Sequence, residues 1–145
     1  MAGSSPEERV ALAHAAWAAY DAGDIDAILR VFDPDVVVYV PIALANSGTY
    51  RGHDEFVRWM AVWNEAWESF EMRIIDMVPV GERHVVSHMR QTGIGRGSGI
   101  EVTGELGWLF EVRDGLARYI ELFGDFDGAL AVAREREGLD GDAAA

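Results

Sequence analysis

The chain has 145 residues, no cysteine and a formal net charge of −13. This length is typical of one domain, and the lack of cysteine excludes a disulfide framework, a thiol nucleophile and a zinc–thiolate site. The negative charge disfavours a nucleic-acid partner, whose phosphates would be repelled. No apolar run approaches the roughly 20 residues of a membrane span, and no secretory signal pattern opens the sequence. We therefore expect a cytoplasmic protein with neither a membrane nor a nucleic-acid partner.

Two helices and one strand are predicted in the first third of the chain. Ser5, Pro6 and Glu8 form a helix start of the capping-box type. Gly23 ends this helix, and Asp24 caps a second, short one. The apolar run VVVYV follows and stops at a proline, as a strand end does. The predicted elements here are helices over 5–22 and 25–32, a strand over 36–40 and a loop over 43–51.

A third helix and a meander of four strands are predicted in the remainder. Large apolar side chains recur at spacings of three and four over residues 53–68 and form one stripe of a helix. The members of the stripe are Phe56, Trp59, Met60, Trp63 and Trp67. From residue 69 the period becomes that of strands, with glycine-containing turns between them. The predicted strands are 70–79, 83–95, 100–113 and 116–123, and a last helix, capped by Asp125 or Asp127, ends near Gly138.

This order of elements predicts an α+β domain in which three to four helices cover one face of a curved antiparallel sheet. On the third strand of the meander, Leu106, Trp108 and Phe110 share one face, which we expect to meet the core. We predict a single domain over 5–138. A disordered N-terminus over 1–4 and a flexible acidic tail over 139–145 flank it.

Three segments carry a family resemblance: AYDAGDIDAILRVFDPDVVVYVPI, YRGHDEFVRWM and VRDGLARYIELFGD. They resemble the nuclear transport factor 2-like superfamily and, within it, the SnoaL-like group, which is related to ketosteroid isomerases, polyketide cyclases and limonene-epoxide hydrolases. The resemblance covers about residues 8–134. It implies a cone-shaped fold with a cavity for a small, mostly apolar ligand, bounded by the first and third helices and the inner sheet face. Because the superfamily contains enzymes, binding proteins and scaffolding subunits, the resemblance implies a fold more strongly than an activity.

The catalytic positions of the ketosteroid isomerases are not matched here. In that family an aspartate base precedes a proline at the end of the first strand, and the matching residue is Val40. The family's catalytic tyrosine falls at about Ala16, and its protonated acid falls near Trp108. The resemblance therefore implies no isomerisation by that mechanism.

The resemblance to limonene-epoxide hydrolases directs attention to His88, Arg90 and a third position at Glu121 or Leu122. It implies that His88 and Arg90 point into the cone; two residues apart on a strand, they share one side, roughly 7 Å apart. An imidazole transfers protons near neutral pH, and a guanidinium stabilises an oxyanion. A structural interpretation is equally open, in which Arg90 and Glu121 form a buried pair and hydrogen bonds satisfy His88.

The leading hypothesis is an enzyme that isomerises, cyclises or hydrates a hydrophobic metabolite by acid–base chemistry, with no metal and no other cofactor. His88 would carry the proton, Arg90 would stabilise charge, and Glu121 and Tyr20 would orient them. The alternatives are a non-catalytic binding protein for a small apolar ligand and an interaction subunit; we also expect a homodimer through the outer sheet face. The predicted ligand contacts are Trp17, Tyr20, Val40, Trp59, Met60, Trp63, Trp108 and Phe110. If the indoles of this group fill the cavity, the enzyme hypothesis loses most of its support.

Overall fold

The computed structural model describes residues 5–41 and 47–139, and this part of the chain contains four helices and six strands. The predicted N-terminal extension 1–4 and the tail from 140 onward lie outside the described residues. The helices are α1 (Pro6–Ala22), α2 (Ile25–Val31), α3 (Gly52–Glu65) and α4 (Phe126–Arg136). The strands are β1 (Phe32–Val40), β2 (Gly48–Arg51), β3 (Trp67–Val80), β4 (His84–Gly95), β5 (Glu101–Arg113) and β6 (Leu116–Phe123).

Side-chain caps start three of the helices where the sequence predicts them. The Glu8 backbone N–H donates to Ser5 Oγ at 3.1 Å, and the Ser5 N–H donates to Glu8 Oε1 at 2.8 Å, which completes the capping box. Asp24 accepts a hydrogen bond from the first turn of α2, and Asp125 does the same for α4. Gly23 closes α1 in the left-handed conformation, with φ of 71°.

The six strands form one sheet in the order β2-β1-β6-β5-β4-β3. Neighbouring strands are antiparallel except β1 and β6, which run parallel, so the sheet is mixed rather than wholly antiparallel. The meander begins at the edge farthest from β1, and its fourth strand therefore returns beside β1 in the same direction. The α+β class is confirmed, with this one parallel pair added to the predicted topology.

Helices cover both faces of the sheet, in contrast to the one-sided cover that we expected. Helices α1, α2 and α3 pack on the inner face, which carries Trp108 and Phe110. Helix α4 packs on the outer face against Leu109. Gly107 permits this close approach, because a Cβ atom there would lie 2.9 Å from the Cβ of Ala129.

The strand β1 is longer than its apolar run predicts, and its burial alternates. Val36, Val38 and Val40 are fully buried, whereas Tyr39 is 38% exposed. The short strand β2 pairs with β1 where the sequence predicts only a loop. Trp67, assigned to the apolar stripe of the third helix, instead begins β3 and packs over the bare backbone of Gly93.

One charged side chain, Arg9 of α1, is almost completely buried at the end of the sheet. Its guanidinium donates to the backbone carbonyls of Gly81 at 2.6 Å, Glu82 at 2.8 Å and His84 at 3.0 Å. Burial lowers the pKa of Arg9, and the nearby Glu137 carboxylate opposes that shift. These bonds fasten α1 to the turn between β3 and β4.

Glu137, just after α4, binds the same turn from the other side. Its carboxylate accepts the backbone N–H groups of Glu82 and Arg83 at 3.1 and 2.8 Å and is hydrogen-bonded to His84 Nδ1. Burial raises the pKa of Glu137, but the bonds from His84 and the two N–H groups together hold it below the ordinary 4.5. The turn thus connects the helix layers of both faces.

Candidate ligand-binding cavity

An apolar cavity of about 50 Å³ lies between the helices of the inner layer and the inner face of the sheet. Its walls are almost entirely carbon. Helix α1 contributes side chains three and four residues from Tyr20, α3 contributes residues of its apolar stripe, and the strands contribute alternate positions. The lining residues are Ala16, Trp17, Tyr20, Ile28, Phe32, Val38, Phe56, Trp59, Met60, Trp63, Met72, Trp108, Phe110 and Ile120.

Four indole rings pack against one another around the cavity. Trp108 contacts Trp17 and Trp59, with ring centroids 5.5 and 6.3 Å apart, and Trp59 stacks on Trp63 at 5.8 Å. The remaining 50 Å³ is well below the roughly 300–1,000 Å³ of sites for drug-sized ligands. The indoles therefore fill the cavity to a large extent, which was the condition that weakens the enzyme hypothesis.

The cavity lining contains few polar groups and no ionised one. Burial raises the pKa of Tyr20, and the neighbouring Trp63 indole opposes that shift. The Trp17 indole N–H donates to Ser87 Oγ at 3.2 Å. The indole nitrogens of Trp59 and Trp108 have no hydrogen-bond partner in the described part of the chain.

Seven of the eight predicted ligand contacts line this cavity, and Val40 does not. Val40 is fully buried in the core, two residues nearer the β1–β2 hairpin, and Val38 supplies the wall from that strand. Prediction missed Ala16 as a wall residue, although it lies one helical turn before Tyr20 and so shares its face. It also missed Met72 on β3 and Ile120 on β6.

His88 and Arg90 lie on the outer face of the sheet, so the expectation that they point into the cone is wrong. On β4 the inward positions are Val85 and Met89, which belong to the inner core. The strand begins at His84 and not, as the sequence predicts, at Arg83. A shift of one residue in the assumed alignment turns every side chain of a strand to the opposite face of the sheet. Neither side chain lines the cavity, and the catalytic role of the two residues stays a prediction.

The outer-face partners of His88 and Arg90 are visible in the structure. His88 Nε2 is hydrogen-bonded to Glu105 Oε1 at 2.8 Å, and the imidazole stacks on Phe126, with centroids 4.4 Å apart. Arg90 Nη1 reaches the other oxygen of Glu105 at 3.4 Å. Glu105 therefore joins the two side chains that the sequence places together, on the face opposite the cavity.

Glu121 also faces outward, and Leu122 takes the inward position. The Glu121 carboxylate accepts the Tyr119 hydroxyl at 2.9 Å and the Arg136 guanidinium at 3.0 Å. Burial, with the Glu121 hydrogen bond second, raises the pKa of Tyr119 to about 12. The three predicted catalytic residues thus belong to two separate outer clusters, and the expected Arg90–Glu121 pair is replaced by Arg90–Glu105 and Arg136–Glu121.

Two further features bear on ligand and partner classes. Over residues 5–41 and 47–139, no three histidine or carboxylate side chains cluster in a way that could hold a metal ion. In the same segments no helix is long and apolar enough to cross a membrane.

Helix α4 occupies part of the outer sheet face on which we expected a homodimer, and the homodimer stays a prediction.

The fold and the cavity define an α+β protein in which helices close one side of a curved sheet over an apolar interior. A family model described as a SnoaL-like domain matches residues 13–120, which is most of the chain. The chain belongs to the SnoaL-like domain family. A comparison with curated protein sequences gives no match.

Solved structures with the same fold share about a fifth of their residues with this chain. A nuclear transport factor 2-like protein from Burkholderia thailandensis is 21% identical, with a TM-score of 0.76 over 88% of this chain and 98% of that one. TerC, co-crystallised with polyporic acid, is 20% identical, with a TM-score of 0.74 over 90% and 99%. A protein of ketosteroid isomerase-like fold from Catenulispora acidiphila, in complex with trimethylamine, is 18% identical, with a TM-score of 0.68 over 90% and 95%. These similarities confirm the predicted fold.

Proposed function

We propose that the inner cavity binds a small, uncharged apolar molecule and that the chain is a small-molecule binding protein of the SnoaL-like family. The observation that carries the proposal is the lining, which consists of aromatic and aliphatic side chains without a carboxylate, imidazole or guanidinium. A charged ligand there would lose its hydration and gain no counter-charge. An apolar ligand would gain from the surface it removes from water.

The size of the cavity adds a requirement to this proposal. A void of about 50 Å³ holds only a few atoms, so a ring-sized ligand enters when lining side chains repack. Met60 and Met72 are suited to this movement, because methionine is unbranched and has three rotatable side-chain bonds. Two proteins of this fold were crystallised with small molecules, polyporic acid and trimethylamine, which supports a small-molecule binding role for the fold.

Acid–base catalysis is less well supported by the same geometry. A general acid or base must reach the proton that it transfers, within about 3.2 Å or through one water. Tyr20 is the lining side chain that titrates, and burial raises the pKa of its hydroxyl, so that it stays protonated at neutral pH. His88 and Arg90 lie across the sheet from the cavity. We therefore propose the alternative hypothesis, a small-molecule binding protein, in place of the enzyme.

The decisive experiment fills the cavity and leaves the fold intact. Ala16 lines the cavity, whereas its neighbour Ala15 is exposed on α1, so Ala16→Leu and Ala15→Leu form a matched pair. Titration with ethylbenzene, followed through tryptophan fluorescence, should show saturable binding in the wild type and in Ala15→Leu. We expect Ala16→Leu to lose this binding. Unchanged binding in a folded Ala16→Leu protein would contradict the proposal, and conversion of a bound ligand into a product would favour the enzyme.

A further inference from the structure

A surface cleft of about 410 Å³ lies between α1 and β3, on the other side of one wall of the inner cavity. Three residues line both the cleft and the cavity: Trp17 and Tyr20 of α1, and Met72 of β3. These three are partly exposed, whereas every other residue of the cavity lining is buried. The cavity wall is therefore thinnest where it borders this α1–β3 cleft.

A second cleft, of about 440 Å³, lies beside β2 and α3 and borders the cavity at Trp59. Trp59 is only 6% exposed, and its ring contacts four other rings, those of Tyr50, Phe56, Trp63 and Trp108. Moving the Trp59 indole would break all of these contacts, each of which stabilises the packed arrangement. This second wall is therefore held closed.

Met72 is the movable part of the thin wall. The Trp17 indole is fixed by its hydrogen bond to Ser87 at 3.2 Å and by its contact with Trp108, and the Tyr20 ring packs on Phe70. The Met72 side chain is unbranched and has three rotatable bonds, and partly exposed side chains change rotamer within nanoseconds. It also belongs to a strand at the end of the sheet order, which pairs with β4 alone among the described strands.

We propose that apolar ligands enter and leave the inner cavity through the α1–β3 cleft, and that Met72 is the gate between the two spaces. This inference rests on the proposed function, because it presumes that a ligand reaches the cavity. Rotation of Met72 towards the cleft joins the cleft to the void. A ligand can then cross the wall while the ring contacts of Trp59 stay in place.

A gate has a kinetic signature that a change in the binding site does not share. A side chain that obstructs only the path raises the barrier for entry and for exit by the same amount. The association and dissociation rate constants then fall by the same factor, and the dissociation constant is unchanged. A change in the bound state instead alters the dissociation constant, mostly through the dissociation rate.

The first test obstructs the cleft without touching the cavity. Ala18 is exposed and lines the α1–β3 cleft but not the cavity, whereas Ala15 is exposed on the same helix and lines neither. Ala18→Phe and Ala15→Phe therefore form a matched pair. NMR exchange spectroscopy of the full chain with ethylbenzene measures both rate constants. We expect both to fall about tenfold in Ala18→Phe, with an unchanged dissociation constant, and to keep their wild-type values in Ala15→Phe.

Two further variants examine the gate and the rival wall. Met72→Ile keeps an apolar side chain of similar size but makes it stiff at χ1, so we expect exchange of ethylbenzene to slow by a larger factor than the dissociation constant changes. Val62 is 51% exposed and lines the cleft beside Trp59. Val62→Phe should leave both rate constants unchanged.

The outcomes separate this inference from the proposed function. If ethylbenzene does not bind the wild type saturably, both are overturned. If it binds and exchanges at the same rate in Ala18→Phe as in the wild type, the cavity still binds apolar molecules and the entry route is overturned. Slower exchange in Val62→Phe alone would assign entry to the wall at Trp59 and overturn it too. Equal slowing in Ala15→Phe and Ala18→Phe, or a change confined to the dissociation rate, would also overturn the gate.

Discussion

The two faces of the sheet differ in how their side chains pack. On the outer face, Gly107, Ala129 and Ala133 are small, and α4 lies close against the strands. On the inner face, indole rings that meet mostly edge to face line a void between the helices and the sheet. The charged groups that sequence analysis selected for chemistry all lie on the closely packed side. Alternate positions on a strand therefore differ in role. Side chains on the inner face can contact a ligand, whereas those on the outer face form polar pairs and contacts with α4.

The largest effect on stability is expected at the turn that joins both helix layers. Arg9→Met keeps most of the side-chain volume but leaves three backbone carbonyls without their donor. We expect the free energy of unfolding to fall by about 3–5 kcal/mol, as for other broken buried charge networks. Urea denaturation measures it. The exposed Arg118→Met should change it by less than about 0.5 kcal/mol, and equal small effects would contradict the anchoring role.

A change that enlarges the cavity should separate stability from binding. Met60 is 3% exposed and lines the void, so Met60→Ala should destabilise the free protein by about 2–5 kcal/mol. The same change should tighten the binding of ethylbenzene, because less repacking is required. Thermal unfolding with and without ligand measures both. Weaker binding in the enlarged cavity would contradict the location of the site.

On the outer face, added volume should be harmful without affecting the cavity. A Cβ atom at position 107 would lie 2.9 Å from both the Ala129 Cβ and the Asp125 carbonyl oxygen. Gly107→Ala should therefore cost about 1–3 kcal/mol as α4 shifts, with ethylbenzene affinity unchanged. At Gly104, on the same strand, an added Cβ meets nothing within 4 Å, so Gly104→Ala is the control. Equal stability of the two variants would disprove close packing of α4.

A smaller effect should appear in the pH dependence of stability. The pKa of Glu137 is held below 4.5 in the folded protein, so its stabilisation is fully present above the unfolded-state pKa. That stabilisation is lost as the pH falls through the folded-state pKa, below 4.5. We expect Glu137→Gln to flatten the loss of stability in this acid range. The exposed Glu135→Gln should keep the wild-type slope, and an identical slope in Glu137→Gln would contradict the assignment.

The smallest effects are expected at the outer cluster of His88, Arg90 and Glu105. Their partly exposed pairs should contribute less than about 1 kcal/mol each. His88→Ala and Arg90→Ala should leave the binding of cavity ligands unchanged. A loss of ligand affinity or of turnover in His88→Ala, in a protein of normal stability, would restore the catalytic prediction.

Most of the fold was accessible from local chemistry in the sequence. Caps at Ser5, Asp24 and Asp125 determine where helices begin, and those contacts form within three residues. The pairing of β1 with β6 is different, because it depends on how the whole meander returns across the sheet. The short strand β2 and the position of α4 on the outer face likewise follow from long-range packing, for which no local pattern exists.

The residues of the site also divide into those that local sequence patterns predict and those whose placement depends on strand register. Four of the five residues of the predicted stripe line the cavity, and Trp108 lines it from β5, because large side chains at regular spacings mark a buried face. The fifth, Trp67, begins β3 instead. The placement of His88 and Glu121 required the register of β4 and β6, which a family comparison leaves uncertain by one residue. A single step of register is sufficient to exchange the two faces of a strand.

The most direct test of a ligand site on the inner face is a crystal structure of the protein soaked with ethylbenzene. We predict electron density for the ligand among the rings of Trp17, Trp59 and Trp108, which line the cavity. Density on the outer face beside His88 and Glu105, with the inner cavity still closed by its indoles, would contradict the account.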